Sequence, residues 1–206
     1  MDGKQMSQLS KLLPITLLTG EATQILKQFP NGSIDAVITV PPCLQTYRGK
    51  PLPLPKKTVE QVLIECHRVM RNNTAIYAFS EDKQLGFYLN IIKKFFQFRN
   101  ILVWKRKDWS AGKLRYSYGR ECEFVIYANK GKRQLNEIGG YQRHISILEY
   151  PRKGFVSLLG WFLTVSTNAG DIVLDPFYTS DSVRIACQEM NRQFIGIKMS
   201  NESILW

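Results

Sequence analysis

The chain has 206 residues, 44% of them hydrophobic and 22% charged, a composition that excludes an intrinsically disordered protein and suits one folded domain. Its formal net charge of +11 favours a polyanionic partner, nucleic acid first, with a generic basic surface as the alternative. No run of about 18 apolar residues occurs, so we expect a soluble cytoplasmic protein without a membrane span. The four cysteines include no Cys-x-x-Cys pair, which disfavours a metal site and predicts buried free thiols.

Short apolar runs alternate with helical periodicity along the whole chain. These patterns predict strands at 14–18, 35–40, 74–79, 100–104, 123–128, 170–176 and 193–199, and helices at 20–29, 58–70, 80–96, 154–167 and 180–190. We expect Thr58 and Gln61 to form a capping box, and Ser80 to cap the helix that follows it. The alternation predicts an α/β fold with a mostly parallel central sheet flanked by helices. Ligands of such sheets bind beyond the carboxyl ends of the strands, here in the loops that start at Gly20, Val40, Phe79 and Asp175.

The segment between the strands at 100–104 and 123–128 is basic, aromatic and without a clear period. Its cations are candidate contacts to phosphates, and they are Lys105, Arg106, Lys107, Lys113, Arg115 and Arg120. The rings interleaved with them are candidate stacking partners for bases, and they are Trp104, Trp109, Tyr116 and Tyr118. The alternative is a solvated hairpin whose rings cover the edge of the sheet.

Several long segments in the same order resemble the DNA amino-methyltransferases that make N6-methyladenine or N4-methylcytosine. They include "SIDAVITVPPC", "EYPRKGFVSLLGWFLTVSTNAGDIVLDPF" and "NRQFIGIKMSNES", and the resemblance runs from about Ile15 to Asn201. The order is that of the permuted subgroup, in which the catalytic motif precedes the cofactor motif. The resemblance implies a Rossmann-like methyltransferase domain over residues 1–206, with a basic aromatic insert at about 105–121. It also implies S-adenosylmethionine as cofactor and DNA as partner, and it leaves a homodimer or a second partner chain open.

The resemblance assigns the catalytic motif to Val40, Pro41, Pro42 and Cys43. In the family, a polar first residue and the carbonyl of the first proline accept hydrogen bonds from the amino group of a flipped base, and a final aromatic residue stacks on that base. Val40 has no acceptor in its side chain, and Cys43 has no ring. The two prolines are retained, so the sequence predicts that the backbone corner persists.

The cofactor motif departs from the family pattern as well. Asp175 and Phe177 are retained, whereas Thr179 and Asp181 stand where the family usually has glycine, which permits close approach and unusual backbone angles. Lys198 stands where an acidic residue usually holds the ribose of the cofactor. The resemblance implies a cofactor site formed by Glu21, Lys153, Asp175, Phe177, Thr179, Asp181 and Lys198.

Two functional hypotheses follow from these residues. The first is a DNA amino-methyltransferase whose activity is weakened or lost through the changed positions. The second is a non-catalytic descendant that keeps the fold and binds DNA or a partner protein. Dinucleotide-binding and P-loop glycine motifs are absent from the sequence, which disfavours those enzyme classes.

Overall fold

The computed structural model describes residues 14–42, 54–110, 115–116, 118–137 and 145–199. The strands are β1 (Ile15–Thr19), β2 (Ile34–Thr39), β3 (Met70–Ser80), β4 (Gln97–Ser110), β5 (Arg120–Lys130), β6 (Ile147–Glu149), β7 (Ile172–Asp175) and β8 (Gln193–Lys198). The helices are α1 (Ala22–Lys27), α2 (Lys56–Val69), α3 (Asp82–Phe95), α4 (Phe155–Ser166) and α5 (Ser182–Glu189), and a 3-10 turn at Arg152–Gly154 precedes α4.

The eight strands form one sheet in the order β1-β8-β7-β2-β3-β5-β4-β6. Only β5 runs against its neighbours β3 and β4, and every other neighbouring pair is parallel. The prediction of an α/β fold with a mostly parallel sheet is therefore confirmed. Because β4 runs in the same direction as β3, its carboxyl end lies at the same edge of the sheet as the ends of β1, β2, β7 and β8.

Helices cover both faces of the sheet, which explains why the central strand β2 is buried along its whole length. On one face, α1, α2 and α3 pack Leu26, Leu63 and Tyr88 into the core. On the other face, α4 and α5 contribute Phe162 and Ala186. In the part of the chain that the structure describes, no helix is long and apolar enough to span a membrane.

The predicted helix caps are wrong. The helix α2 starts at Lys56, so Thr58 lies inside its first turn, and the carbonyl of Pro55 accepts the backbone N–H groups of Thr58 at 2.9 Å and Val59 at 3.2 Å. Glu81 is the N-cap of α3, and Ser80 is the last residue of β3. Neither N-cap residue, Pro55 or Glu81, forms a side-chain cap hydrogen bond, so side-chain capping does not fix where α2 and α3 begin.

A lysine closes the carboxyl end of α2. The ammonium group of Lys130 donates hydrogen bonds to the carbonyls of His67 at 2.8 Å, Met70 at 2.7 Å and Arg68 at 3.3 Å. The last carbonyls of a helix lack partners within the helix and carry partial negative charge, so a cation there is stabilising. This contact joins the end of β5 to the connection between α2 and β3.

The predicted buried thiols are present among the described cysteines. Cys66 and Cys187 are buried and free, whereas Cys122 is partly exposed and free. Burial raises the pKa of the Cys66 thiol, and it raises the pKa of Cys187 to about 12. Both thiols therefore remain protonated and pack as small apolar groups. Cys43 lies outside the described residues.

Candidate active site

The parallel strands bring four distant parts of the sequence to one edge of the sheet. In spatial order, the loops after β1, β8, β7 and β2 lie side by side. Backbone hydrogen bonds join adjacent loops, from Gly20 N to Lys198 O at 3.0 Å and from Tyr178 N to Ile197 O at 3.1 Å. The residues assigned to the catalytic motif and most of those assigned to the cofactor therefore follow neighbouring strand ends.

A buried carboxylate links the two central loops. The hydroxyl of Thr39, at the end of β2, donates to Asp175 Oδ1 at 2.7 Å, and the backbone N–H of Phe177 donates to the same oxygen at 3.1 Å. The Asp175 side chain thus ties the residue before Val40 to the start of the loop after β7. The alternating apolar pattern around Thr39 gave no reason to single it out, so the sequence analysis missed this residue.

The surroundings of Asp175 shift it toward its neutral form. Asp175 is only 3% exposed, and burial raises its pKa to about 7, although the hydrogen bonds from Thr39 and from the Phe177 N–H act in the opposite direction. Phe177 is also buried, so its ring packs into the core beside this loop. The buried side chains of Asp175 and Phe177 therefore anchor the loop after β7 to the core.

A tyrosine side chain forms a hydrogen bond to the proline corner after β2. The Tyr88 hydroxyl, on α3, donates to the carbonyl of Pro42 at 2.6 Å. Pro41 is buried and Pro42 is half-buried, whereas Val40 is 39% exposed at the edge of the sheet. The sequence analysis missed Tyr88 because its helical spacing is that of an ordinary core residue. The ring position of the motif, Cys43, lies outside the described residues.

The loop after β7 does not require glycine for its backbone. Asp181 has φ of −73° and ψ of −5°, which any residue adopts. Among the described non-glycine residues, positive φ occurs at Asn73 and Asn191 and not at Thr179. The expected backbone strain is therefore absent at both positions, and what remains is the bulk of two exposed side chains.

Asp181 is the ionised group of this loop. Its carboxylate accepts hydrogen bonds from Arg184 Nε at 2.8 Å and from the Tyr178 hydroxyl. These contacts, that of Arg184 first, lower the pKa of Asp181 to about 2. The carboxylate of Asp181 is therefore ionised over the whole physiological pH range and is paired with the guanidinium of Arg184.

Exposed charged groups flank the loop after β7. Lys198 ends β8, and Glu21 follows β1, the strand that pairs with β8. The Glu21 carboxylate accepts a hydrogen bond from the Thr23 hydroxyl. Lys153 lies farther along the edge, in the turn before α4, whose first residue Phe155 stacks on Trp104 at 4.9 Å between ring centroids.

The basic insert extends from this edge as a two-stranded arm, formed by the end of β4 and the start of β5. Phe124 pairs with Ser80, the last residue of β3, so the arm continues past the end of that strand. Arg115 is exposed, as are Tyr116 at 82% and Tyr118 at 98%. Lys107 and Arg120 lie in the strands of the arm, and Lys113 lies outside the described residues.

Arg106 and Trp104 have structural roles that the sequence did not indicate, and Lys105 forms an exposed surface ion pair. The guanidinium of Arg106 is 5% exposed and pairs with Glu123 at 3.0 Å, which removes it from the candidate phosphate contacts. Trp104 is buried, and its indole N–H donates to the carbonyl of Tyr150 at 2.8 Å, so its ring is not a stacking platform for a base. Lys105 is exposed and pairs with Glu149 at 3.0 Å.

Comparisons with known proteins relate both sequence and fold to DNA methyltransferases. A family model described as DNA methylase matches residues 150–205. The DNA adenine methyltransferase YhdJ of Escherichia coli is 24% identical over 92% of this chain and 80% of its own length. The type II methyltransferase M.HpaI of Haemophilus parainfluenzae is 25% identical over 91% of this chain and 71% of its own length.

Two solved structures show the same fold. The complex of M1.HpyAVI with SAM superposes with a TM-score of 0.72 at 22% identity, over 92% of this chain and 95% of that one. The PvuII DNA methyltransferase, which is cytosine-N4-specific, superposes with a TM-score of 0.71 at 13% identity, over 93% and 86% of the two chains. The similarity of fold therefore extends over more than nine-tenths of the chain.

Proposed function

We propose that this chain, which belongs to the DNA amino-methyltransferase family, transfers a methyl group from S-adenosylmethionine to an exocyclic amino group of a base in DNA. The observation that carries the proposal is the Thr39–Asp175 hydrogen bond. It joins the corner assigned to the flipped base to the loop assigned to the methyl donor. A reaction between two bound molecules needs this kind of fixed relation between their sites.

Side chains at the edge fit the charges of the proposed cofactor. The ionised carboxylate of Asp181 suits the ammonium group of a methionine moiety, and the ammonium groups of Lys153 and Lys198 suit its carboxylate. Lys198 has no acceptor for ribose hydroxyls, and the exposed carboxylate of Glu21 on the adjacent loop supplies one. When bound, S-adenosylmethionine supplies an electrophilic methyl group.

The protein's part in the reaction is to orient a weak nucleophile. The amino nitrogen of adenine or cytosine shares its lone pair with the ring, so hydrogen bonds from its N–H groups to fixed acceptors favour attack. The Pro41 carbonyl is the acceptor that the corner retains, and the Tyr88 contact to the next carbonyl keeps that corner rigid. Val40 provides no second acceptor, which predicts a rate lower by about 10²–10³ than with a polar residue there.

The arm is the proposed DNA contact. It leaves the same edge as the candidate active site, and its candidate cations are Lys105, Lys107, Arg115 and Arg120, with Lys113 added from the sequence alone. Each phosphate neutralised by such a cation makes binding more dependent on salt. The exposed rings of Tyr116 and Tyr118 suit stacking on unpaired bases.

The direct test is transfer of labelled methyl groups to mixed-sequence DNA, double- and single-stranded. We expect slow, DNA-dependent incorporation. Asp181→Asn should weaken cofactor binding in a calorimetric titration by about tenfold, because a charge-assisted contact is lost. Glu189→Gln, which removes an exposed carboxylate on the adjoining α5, is the matched control and should bind normally.

Other outcomes of the same assays would overturn the proposal. DNA retention at low salt without transfer to either form of DNA would identify a non-catalytic DNA-binding protein. We expect Val40→Asp alone to leave the rate limited by the crowded cofactor loop. Adding Thr179→Gly, which removes an exposed side chain and keeps the Asp181 carboxylate, should then raise the rate, and a full gain from Val40→Asp alone would refute the role given to that loop.

A further inference from the structure

Two adjoining cavities open on the face of the sheet that α4 covers, away from the candidate active site. The inner cavity has a volume of about 100 Å³, and the outer one has a volume of about 540 Å³. Both are lined by Asn100, Tyr127 and Leu135, so they form one continuous cleft. This double cavity lies at the start of β4 and the end of β5. The shared residue Tyr127 pairs with Tyr77, and the three residues of β3 from Ala78 to Ser80 separate that level from the carboxyl edge by roughly 10 Å.

The inner cavity is aromatic. The rings of Tyr127 and Tyr77 stack with centroids 5.0 Å apart, and the rings of Tyr77 and Phe162 stack with centroids 4.4 Å apart. Trp161 completes the lining on the α4 side. Flat apolar walls of this kind favour a flat ring as ligand. The volume is below the roughly 150 Å³ of a cavity that encloses benzene, so the inner cavity admits only the edge of a single ring, and a fused purine fits less well.

The outer cavity is cationic. Arg99, Lys132 and Arg133 line it, and the described residues around it include no acid. The two guanidinium groups bond to neutral amide oxygens, Arg99 to Gln97 at 3.1 Å and Arg133 to Asn136 at 2.8 Å. Their positive charge is therefore available to an anion.

The charges reach the junction of the two cavities. Burial raises the pKa of the Tyr127 hydroxyl, and the positive charges of Arg133 and Arg99 act in the opposite direction. Both guanidinium groups thus lie within electrostatic range of the ring that the two cavities share. The aromatic inner cavity and the cationic outer cavity therefore suit a ligand that has a ring with an anionic group a short distance away.

The turn that carries two of the cations is fixed without any ligand. Gly131 has φ of +77°, and a Cβ there would come within 2.8 Å of Asn73 Oδ1. That oxygen accepts the backbone N–H of Lys132 at 2.9 Å, and the Asn129 amide donates to the carbonyl of Arg133 at 3.2 Å. A preorganised site loses less conformational entropy on binding.

We infer that this double cavity binds a pyrimidine nucleotide, with its phosphates on Arg99, Lys132 and Arg133 and its ring directed to Tyr127 and the inner cavity. The site is separate from the edge proposed for methyl transfer and does not depend on that activity. The phosphate group is shared by free nucleotides and by the ends of DNA strands, and titrations with each distinguish these two sources.

Calorimetric titration of the full chain with cytidine 5′-diphosphate, without DNA or S-adenosylmethionine, tests this inference. We expect saturable binding, with cytidine, inorganic pyrophosphate and adenosine 5′-diphosphate each weaker by about tenfold or more. Arg99→Gln combined with Arg133→Gln should weaken the diphosphate by at least about tenfold, since charge-assisted contacts are lost. Lys27→Gln, an exposed lysine on α1, is the matched control and should bind like the wild type.

A second variant separates the ring site from the phosphate site. Leu135→Trp fills the junction, and it should weaken cytidine 5′-diphosphate while leaving pyrophosphate unchanged. Urea unfolding of each variant checks that it is folded. No binding at millimolar nucleotide, or equal affinity in the arginine double variant, would overturn the inference. Binding of a 5′-phosphorylated oligonucleotide but not of the free nucleotide would also overturn it and would assign the pocket to DNA.

Discussion

Replacement of Asp175 by Asn should remove most of one pH-dependent contribution to stability. In the folded protein, burial raises the pKa of this carboxyl from its ordinary value of 3.8 to about 7. The folded state therefore holds the proton more tightly than the unfolded chain. Stability from this group is fully present below about pH 4 and falls as pH rises through the folded pKa of about 7.

The size of the effect follows from the two pKa values. A difference of about three units corresponds to about 4 kcal/mol, because each unit is worth 1.36 kcal/mol. Between about pH 5 and about pH 8, the free energy of unfolding should fall by between about 2 and 3 kcal/mol through Asp175 alone. Asn keeps an oxygen for the hydrogen bonds from Thr39 and from the Phe177 N–H but cannot ionise.

Urea unfolding of wild type and Asp175→Asn at both pH values measures this difference. The buried amide of Asn carries its own cost at every pH, so the pH dependence is compared and not the absolute stability. Other groups titrate equally in both proteins and cancel. A pH dependence that is the same within about 1 kcal/mol in both proteins would refute the raised pKa of the buried Asp175 carboxyl.

Three further substitutions test other contacts. Tyr88→Phe should lower the methyl-transfer rate while costing only about 1 kcal/mol in urea unfolding, since one hydrogen bond to Pro42 is lost. Lys130→Met should cost about 1–3 kcal/mol of unfolding free energy, because it leaves carbonyls at the end of α2 without their donor. Arg106→Gln should destabilise by about 2 kcal/mol or more in urea unfolding, because it removes an ion pair with Glu123 in which the guanidinium is almost fully buried.

Each of these has an outcome that contradicts it. Lys27→Met is the control for Lys130, and equal costs in the two variants would mean that the helix-end contact adds nothing. Lys105→Gln should weaken DNA binding with little loss of stability, the reverse of Arg106→Gln. If Arg106→Gln and Lys105→Gln both lose DNA affinity without losing stability, then Arg106 is not a buried structural residue. An unchanged transfer rate in Tyr88→Phe would remove the positioning role of that hydroxyl.

Much of the fold follows from local pattern. Apolar periodicity predicted the strands around β1, β2, β7 and β8 and the helices between them, because each element repeats its burial every two or every 3.6 residues. The length of the strands in the arm was harder to predict, because β4 and β5 extend over 97–110 and 120–130, well beyond their apolar centres. Polar strands of this kind are held by pairing with each other and leave a weak signal. The three-residue strand β6 was missed for the same reason.

The residues of the candidate site also divide into those that the sequence identified and those that only the structure identified. Sequence alone determined the proline corner, the retained Asp175 and the changed residues at Val40, Thr179 and Lys198, because these depend only on residue type and order. Tertiary structure alone decided that Asp175 faces Thr39, that Tyr88 holds the corner and that Arg106 is buried against its partner. These contacts join residues that lie 136, 46 and 17 positions apart. Their energies depend on burial and on the distance between atoms, which only the packed sheet and helices define.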